Sequence, residues 1–453
     1  MSIVGTFFPM EIIIGKAQRM LERYALCDHC LGRQFAFLGY GMSNQERGRT
    51  IKTLLAMKAH KLAVSKDKRG VSLLKLLAEN GSSSMAAEIL HRLKRRFKEG
   101  EKCYLCEGHF ELLPSLLGKA AEALREYEYE TFLVGIKLPT TVEEREDEFK
   151  AEFGVQHGES IRNEFSRVIG KMLSEITNKS VDFMKPEIVV LANPFTENIR
   201  LQVNSIFIMG RYRKLVRGIP QSKWFCPECR GEGCQECNWT GKLYPESVEE
   251  LIAEPVLKRT CGVEASFHGA GREDVDARML GRGRPFIVQA KRPRRRGIDL
   301  QELEQEINKR AEGKIEVRSL KFVEREAIRK LKSMESSEKT YRVSVKFARE
   351  VSDEEIQNLQ ESLTDITVIQ QTPMRVIRRR ADRAREKHIY ETRVKRLSLD
   401  KIEMKIRCQG GLYVKELVTG DGGRTDPNVS KMVDARAEPV GLDVLNVSVK
   451  RGG

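Results

Sequence analysis

The sequence predicts an α+β chain of several domains, in which a helical, metal-tied module comes first and modules mixing strands with helices follow. Three observations lead there. The chain has 453 residues, about three times the ~150 residues of a common domain. Its segments switch between helical apolar spacing and short β-branched runs. Eight of its ten cysteines fall into four C-x-x-C pairs, a pattern of metal knuckles.

Composition narrows the class. A hydrophobic content of 40% supplies apolar material for real cores and excludes a disordered chain. No uninterrupted apolar run reaches the ~18 residues of a membrane span. The opening MSIVGTFFPMEIIIG lacks a basic n-region and a small-residue cleavage site. A cytoplasmic protein with no signal peptide and no membrane partner is therefore expected. The net charge of +15 favours a polyanionic partner, because neutralising phosphates releases counterions.

Along the chain, EIIIGKAQRMLERYA (11–25) has helical spacing. Ser43-x-x-Glu46 is a capping-box pattern that opens a basic helix over 43–62. SMAAEILHRLKRRFK (84–98) is a third amphipathic helix. ETFLVGIKLP, PEIVVLANP and NIRLQVNSIFIMGRYRKL predict strands, and residues 163–177 a helix. Further on, PFIVQA (285–290) and KTYRVSVKF (339–347) predict strands. Residues 300–313 and 353–363 predict helices, and 392–410 a hairpin. These segments place a helical zinc-tied module at 1–120, an α/β module at 121–220, a four-cysteine loop and linker at 221–245, and a mixed-sheet domain at 246–453. The runs KRPRRRG (291–297) and RVIRRRADRAREKH (375–388) are dense in cations. Like charges so close repel unless phosphates compensate them, so Arg294, Arg295, Arg296, Arg378, Arg379 and Arg380 are candidate RNA contacts.

In a cytoplasmic chain, paired C-x-x-C knuckles read as metal ligands rather than disulfides. CPECRGEGCQEC packs Cys226, Cys229, Cys234 and Cys237 into a compact zinc site. Cys27, Cys30, Cys103 and Cys106 form a second set only if the fold joins knuckles that lie 72 residues apart. His29 and His109 stand close enough in sequence to substitute. Four protein ligands close a zinc shell, so both sites read as structural.

No G-x-x-x-x-G-K-[ST], H-E-x-x-H or strand-to-helix G-x-G-x-x-G occurs, so neither a nucleotide nor a catalytic cofactor is expected. What stands out is FHGAGREDVDARMLGRGRPF (267–286). Gly269 and Gly271 permit unusual backbone geometry. Arg272, Arg278, Arg282 and Arg284 surround two acids, Asp274 and Asp276, and cations favour the charged form of a carboxylate. On residue chemistry alone, either acid could be a nucleophile or a structural partner.

Gly271-Arg272-x-Asp274, with Tyr341 in KTYRVSV and Gly411-Leu412-Tyr413-Val414-Lys415-Glu416-Leu417 downstream, resembles the pseudouridine synthases. QTPMRV (371–376) and GGLYVKELVTGDGGRTDPNVS (410–430) extend the likeness over essentially the whole chain. It resembles the archaeal, THUMP-bearing synthases that act on uridines 54 and 55 of the tRNA TΨC loop. The resemblance implies a THUMP-like α/β module after the zinc-bearing region, then a pseudouridine synthase domain. It implies that Asp274 is the catalytic nucleophile, with Asp276 its rival in register. Arg272 then holds the flipped nucleotide or its orphaned partner, and Tyr341 stacks on the uracil. Lys415 pairs with Asp274, Leu417 forms an apolar floor, and Tyr413 is a substrate contact or core. It implies a tRNA partner and no cofactor for catalysis; a monomer is the default. The alternatives are a non-catalytic zinc-stabilised tRNA-binding protein or another THUMP-bearing tRNA-modifying enzyme.

Overall fold

The computed structural model of the chain describes residues 9–334, 337–377 and 381–447. It divides into two compact units, one ending at Asn204 and the other beginning at Ser205. Among the described residues, no helix is long and apolar enough to cross a membrane.

The first unit begins with the expected helices, now Pro9–Arg23, Asn44–Val64 and Ser84–Arg92. The Ser43 hydroxyl accepts the Glu46 N–H at 3.2 Å, and the Glu46 carboxylate accepts the Ser43 N–H at 2.8 Å, which satisfies otherwise orphaned donors of the first turn. The third helix stops earlier than its apolar spacing predicts, because Lys94 turns into the left-handed region at φ 53°. A four-stranded sheet follows, in the order β2 (Ser180–Val181), β1 (Thr131–Ile136), β3 (Ile188–Asn193), β4 (Asn198–Val203). β1 runs parallel to β2 and β3, and β3 runs antiparallel to β4. The helices Leu113–Leu124 and Ile161–Thr177 pack against it. One hydrophobic core runs from Ala17 to Ala192 and contains Cys30, Cys103 and Cys106. The division between 1–120 and 121–220 expected from sequence therefore does not separate two cores.

The second unit is built on a ten-stranded sheet. Its central strands are β5 (Ile206–Lys214), β7 (Ala277–Lys291), β14 (Ala437–Val447), β9 (Lys339–Phe347) and β12 (Lys401–Cys408). β8 (Ile315–Val323) lies outside β5. β11 (Arg385–Ser398), β10 (Ile366–Gln370) and β13 (Thr425–Asp426) continue beyond β12, and β6 (Glu264–Gly269) pairs with β7. Only the β7–β14 pair is parallel; the others are antiparallel, so the sheet is mixed as expected. β5 corrects the expected boundary. The sequence places it with the first module, but it hydrogen-bonds to β7 and β8 on both sides. The break falls at 204/205, and residues 221–245 lie within the second unit rather than linking two domains.

β7 is also longer than PFIVQA suggests, because its first half carries two glycines. A Cβ on Gly281 (φ 58°) would lie 1.9 Å from the Leu445 carbonyl oxygen, and one on Gly283 (φ 73°) would lie 2.6 Å from that of Tyr212. Only glycine lets the neighbouring strands approach there.

The alternation of β14 sorts two kinds of chemistry onto opposite faces. Leu442 and Val444 face a cavity. Asp443, between them, accepts from Arg278 and Arg342 at 2.8–2.9 Å and from Arg217 at 2.7 Å. Burial alone would raise the Asp443 carboxyl, but the three guanidinium groups hold it down to about 2. That lies below the ~3.9 of an unfolded Asp, so its stabilisation is present above about pH 4 and is lost as the pH falls towards 2. Asp443→Asn is expected to cost about 2 kcal/mol at pH 7. Melting temperatures of the two proteins should converge on acidification from pH 5 to pH 2.

Candidate active site and cysteine centres

Three segments distant in sequence close around one cavity of about 780 Å³. They are the loop from β6 to β7, the 3-10 turn Met374–Val376 after β10, and the helix Val414–Thr419 after β12. Leu412, Val414, Leu442 and Val444 give the cavity an apolar floor, and Tyr341 from β9 forms a wall. Asp274 stands in its lining, about one-third exposed.

The Asp274 carboxylate meets two cations. Lys415 Nζ lies 3.2 Å from one oxygen, and Arg375 Nη1 donates to the other at 3.3 Å. Lys415 is held more tightly by the rival acid, since Nζ donates to both Asp276 oxygens at 2.7 Å. Burial would raise the Asp276 carboxyl, but Lys415 outweighs it and its pKa is lowered. Lys415 thus bridges both acids. Arg375 is gripped from behind by Glu416, at 2.6 Å between Nε and Oε1. Its burial opposes the charge, but Glu416 and Asp274 more than offset that, and its pKa is raised.

The loop bearing Asp274 is held from below by buried polar groups. Gly271 turns it at φ 79°. Glu273, the residue before the acid, also borders the cavity, but its side chain is buried. It accepts from the Tyr212 hydroxyl and from Arg284 Nε, each at 2.8 Å. Arg284 also donates to the Ala270 carbonyl at 2.7 Å, and Gln221 reaches the Gly271 carbonyl at 2.9 Å. Lys214 donates to the carbonyls of Asp274 and Val275 at 3.1 Å; its burial lowers its pKa. Buried groups with every partner in place rigidify a site.

The expected site residues are therefore gathered, with differences. Asp274, Arg272, Tyr341, Tyr413 and Lys415 line the cavity. Arg272 lies over the Trp224 ring at 4.9 Å. Tyr413 has its backbone N–H and carbonyl clasped by the buried Gln370 side chain at 2.8 and 2.9 Å. Leu417 lies fully buried in the hydrophobic core beside the helix and does not line the cavity. The arginines next to the acids in sequence are engaged elsewhere, Arg278 with Asp443 and Arg284 with Glu273. Asp274 takes its cations from residues more than a hundred positions away. Sequence alone assigned Glu273, Lys214, Glu416 and Arg375 no role in the site, although Glu273, Glu416 and Arg375 lie within the segments that carry the family resemblance. After β7, the Arg294 and Arg295 N–H groups are pinned to the Thr260 carbonyl at 2.9 Å, with both residues exposed and Arg296 half-buried. Arg378, Arg379 and Arg380 lie outside the described residues.

Both cysteine sets are assembled. In each, the four Sγ atoms lie within 4.8 Å of one another. Cys27 and Cys106 are 3.6 Å apart, and Cys226–Cys234 and Cys229–Cys237 are 3.8 Å apart. Zn–S bonds of ~2.3 Å in a tetrahedron require sulfur spacings near ~3.8 Å, so both sets could hold structural zinc. Backbone N–H groups of Gly233, Cys234 and Gly241 donate to sulfurs of the compact set at 3.2 Å, the outer support a thiolate site uses. The histidines are not part of either set: His29 binds Glu164 at 2.7 Å and His109 packs on Phe195. Elemental analysis is expected to return about two zinc per chain. Cys103→Ser and Cys229→Ser should each remove about one of them.

Comparison with known proteins agrees with this geometry. Residues 207–448 match the family model Pus10, C-terminal, and residues 117–193 match Pus10 THUMP domain, archaeal. The tRNA pseudouridine synthase Pus10 of Methanocaldococcus jannaschii is 44% identical over 449 residues, covering 97% of this chain and 94% of that protein. The proteins of the same name from Methanothrix thermoacetophila and Pyrococcus furiosus are 40% and 36% identical, each over 96% of this chain and over 94% and 96% of their own lengths. A chain of a Cbf5-Nop10-Gar1 complex is a distant structural likeness, 14% identical with a TM-score of 0.29, over 52% of this chain and 47% of that one. The mixed sheet and its acid-bearing cavity, with the matched C-terminal model, define a pseudouridine synthase, an isomerase acting on RNA. More particularly, the chain belongs to the Pus10 family of tRNA pseudouridine synthases.

Proposed function

We propose that this enzyme isomerises uridines 54 and 55 in the TΨC loop of tRNA, with Asp274 as the nucleophile. The observation that carries the reading is the meeting of Asp274, Lys415 and Tyr341 at one partly apolar cavity. A uridine must leave its stack to enter, at a cost of a few kcal/mol. Tyr341 offers the uracil a ring, and Leu412 and Val444 an apolar bed. Asp274 then breaks the C1′–N1 bond by attacking C1′, by adding to C6, or by taking the C2′ proton. The detached uracil turns, C5 joins C1′, the C5 hydrogen leaves to solvent, and N1 gains a proton. Atoms balance without oxidant, reductant or cofactor. Lys415 and Arg375 steady the carboxylate, and a cavity that excludes water protects the detached base from loss.

The exposed Arg294 and Arg295, with Arg296 and the run 375–388, fit a grip on phosphates, which positions tRNA while the shape of the loop selects it. The enzyme acts in the cytoplasm as a monomer in this reading, with the zinc sites as staples.

Tritium release from tRNA transcripts labelled at uridine C5 tests it. Wild type should release label and Asp274→Ala none. Replacing uridine 54 or 55 by cytidine should each remove one share of the release, and replacing both should abolish it. Release by Asp274→Ala would move the chemistry to another acid, Asp276 first. Release that survives the double replacement would move it to another substrate position.

A further inference from the structure

The compact four-cysteine loop is more elaborate than a staple needs to be. It carries both tryptophans of the chain, Trp224 and Trp239, just outside its first and last cysteines. Trp224 is half-buried and lines the same cavity as Asp274 and Tyr341. Arg272 lies over its ring at 4.9 Å, and Tyr244 meets it edge-on at 5.5 Å. The strand-like base of the loop fixes its backbone: the Leu243 N–H donates to the Trp224 carbonyl at 2.9 Å, and Phe225 bridges to Lys242. Beyond it, Phe225 is 56% and Trp239 76% exposed, with Lys223 over the Phe225 ring at 4.9 Å.

We propose that this loop is a stacking platform of the active site, on which Trp224 receives an unpaired nucleobase of the RNA next to the target uridine. The inference rests on the reading that the target is flipped out of a tRNA loop. Flipping one base strips its neighbour of a stacking partner. A tryptophan at the cavity wall replaces that partner, because every base has a π-face and aromatic stacking tolerates any sequence. Arg272 over the ring adds a cation that attracts both the ring and the adjoining phosphate. The four Sγ atoms, gathered within 4.8 Å of one another, tie the two ends of the loop together and so hold the platform in place beside Asp274. An exposed aromatic pair on a loop so short has no core to serve, and contact with a partner accounts for it.

Because the chain has only these two tryptophans, fluorescence reads the loop directly. In Asp274→Asn/Trp239→Phe, Trp224 is the only tryptophan. A TΨC stem-loop RNA is expected to quench it, whereas a fully paired duplex of the same stem is not. In the otherwise native enzyme, Trp224→Ala is expected to raise KM for tRNA about ten-fold with a smaller change in kcat, and Trp224→Phe to restore most of it; unchanged zinc content and circular dichroism confirm folding. Stem-loop binding without quenching, equal quenching by the duplex, or an unchanged KM for Trp224→Ala would each overturn the proposal. The reading of the reaction fails separately, by absence of tritium release from wild type, and leaves the fluorescence experiment intact.

Discussion

Asp274→Asn is expected to lose at least about 10⁴-fold in the single-turnover rate of tritium release, as removal of a nucleophile does, while binding tRNA within a few-fold of wild type. Asp276→Asn is expected to lose only about ten- to a hundred-fold, the cost of a misplaced group. The two acids are two residues apart, both reach Lys415, and both belong to the same cavity. They differ in what else they touch. Asp274 has Arg375 on its other oxygen, whereas Asp276 spends both oxygens on Lys415. Asp276 is the group that aims the lysine. Losing it frees the ammonium but leaves the Asp274 carboxylate, the proposed nucleophile, in place. Equal losses for the two variants would count against this division, and a larger loss at Asp276 would reverse it.

Glu273→Ala is expected to destabilise the protein by about 3–5 kcal/mol, because it strands the buried Arg284 without a counterion. Arg284 and Tyr212 are essentially unexposed, so neither can recover its lost partner from bulk water. Burial and the neighbouring Glu273 push the Tyr212 hydroxyl well above its ordinary value, which keeps it a donor to the carboxylate. A loss of that size corresponds to about 10 °C in melting temperature for a unit this large. The loop Ala270–Asp274 would lose one of its anchors as well, so the rate should fall below what unfolding explains. Glu273→Leu/Arg284→Met removes both charges together and should regain much of the stability, yet not the rate. Calorimetry and single-turnover tritium release on the same samples separate the two effects. Full recovery of rate in the double variant would mean the buried pair serves stability only.

Part of the cavity lining was legible in the sequence: Arg272, Asp274, Tyr341, Tyr413 and Lys415 do meet there. Gly271-Arg272-x-Asp274 and Gly411-x-Tyr413-Val414-Lys415 were legible through their resemblance to a known family, which implies that the acid of one meets the cation of the other. β9 was readable to its ends, since strict alternation over KTYRVSVKF reports one buried face. The compact cysteine loop was readable because its ligands lie within one turn-rich dozen of residues. The sequence could not say which cations Asp274 meets. Of the arginines near it in the chain, Arg278 and Arg284 are drawn to Asp443 and Glu273 and Arg272 lies over Trp224, and the cation opposite Lys415 arrives from Arg375, 101 residues on. Leu417, placed in the floor by the resemblance, lies in the core instead, because an apolar residue in a motif reports burial, not which side of the helix meets the cavity.

What the sequence determined alone was everything local in origin: the elements with clear period, the capping box at Ser43, the four-thiol loop and the order of the motifs whose resemblance to a known family implied the reaction class. What only tertiary structure decided was everything long-range. Pairing on both sides took β5 into the second unit, and one core drew Cys27 and Cys30 to Cys103 and Cys106. The parallel β7–β14 pair brought the acid loop onto the floor made by Leu442 and Val444. The physical reason is that side-chain periodicity records which face is buried, whereas strand partners and ion pairs are chosen by competition among many similar groups, and that competition is settled only when the whole chain packs.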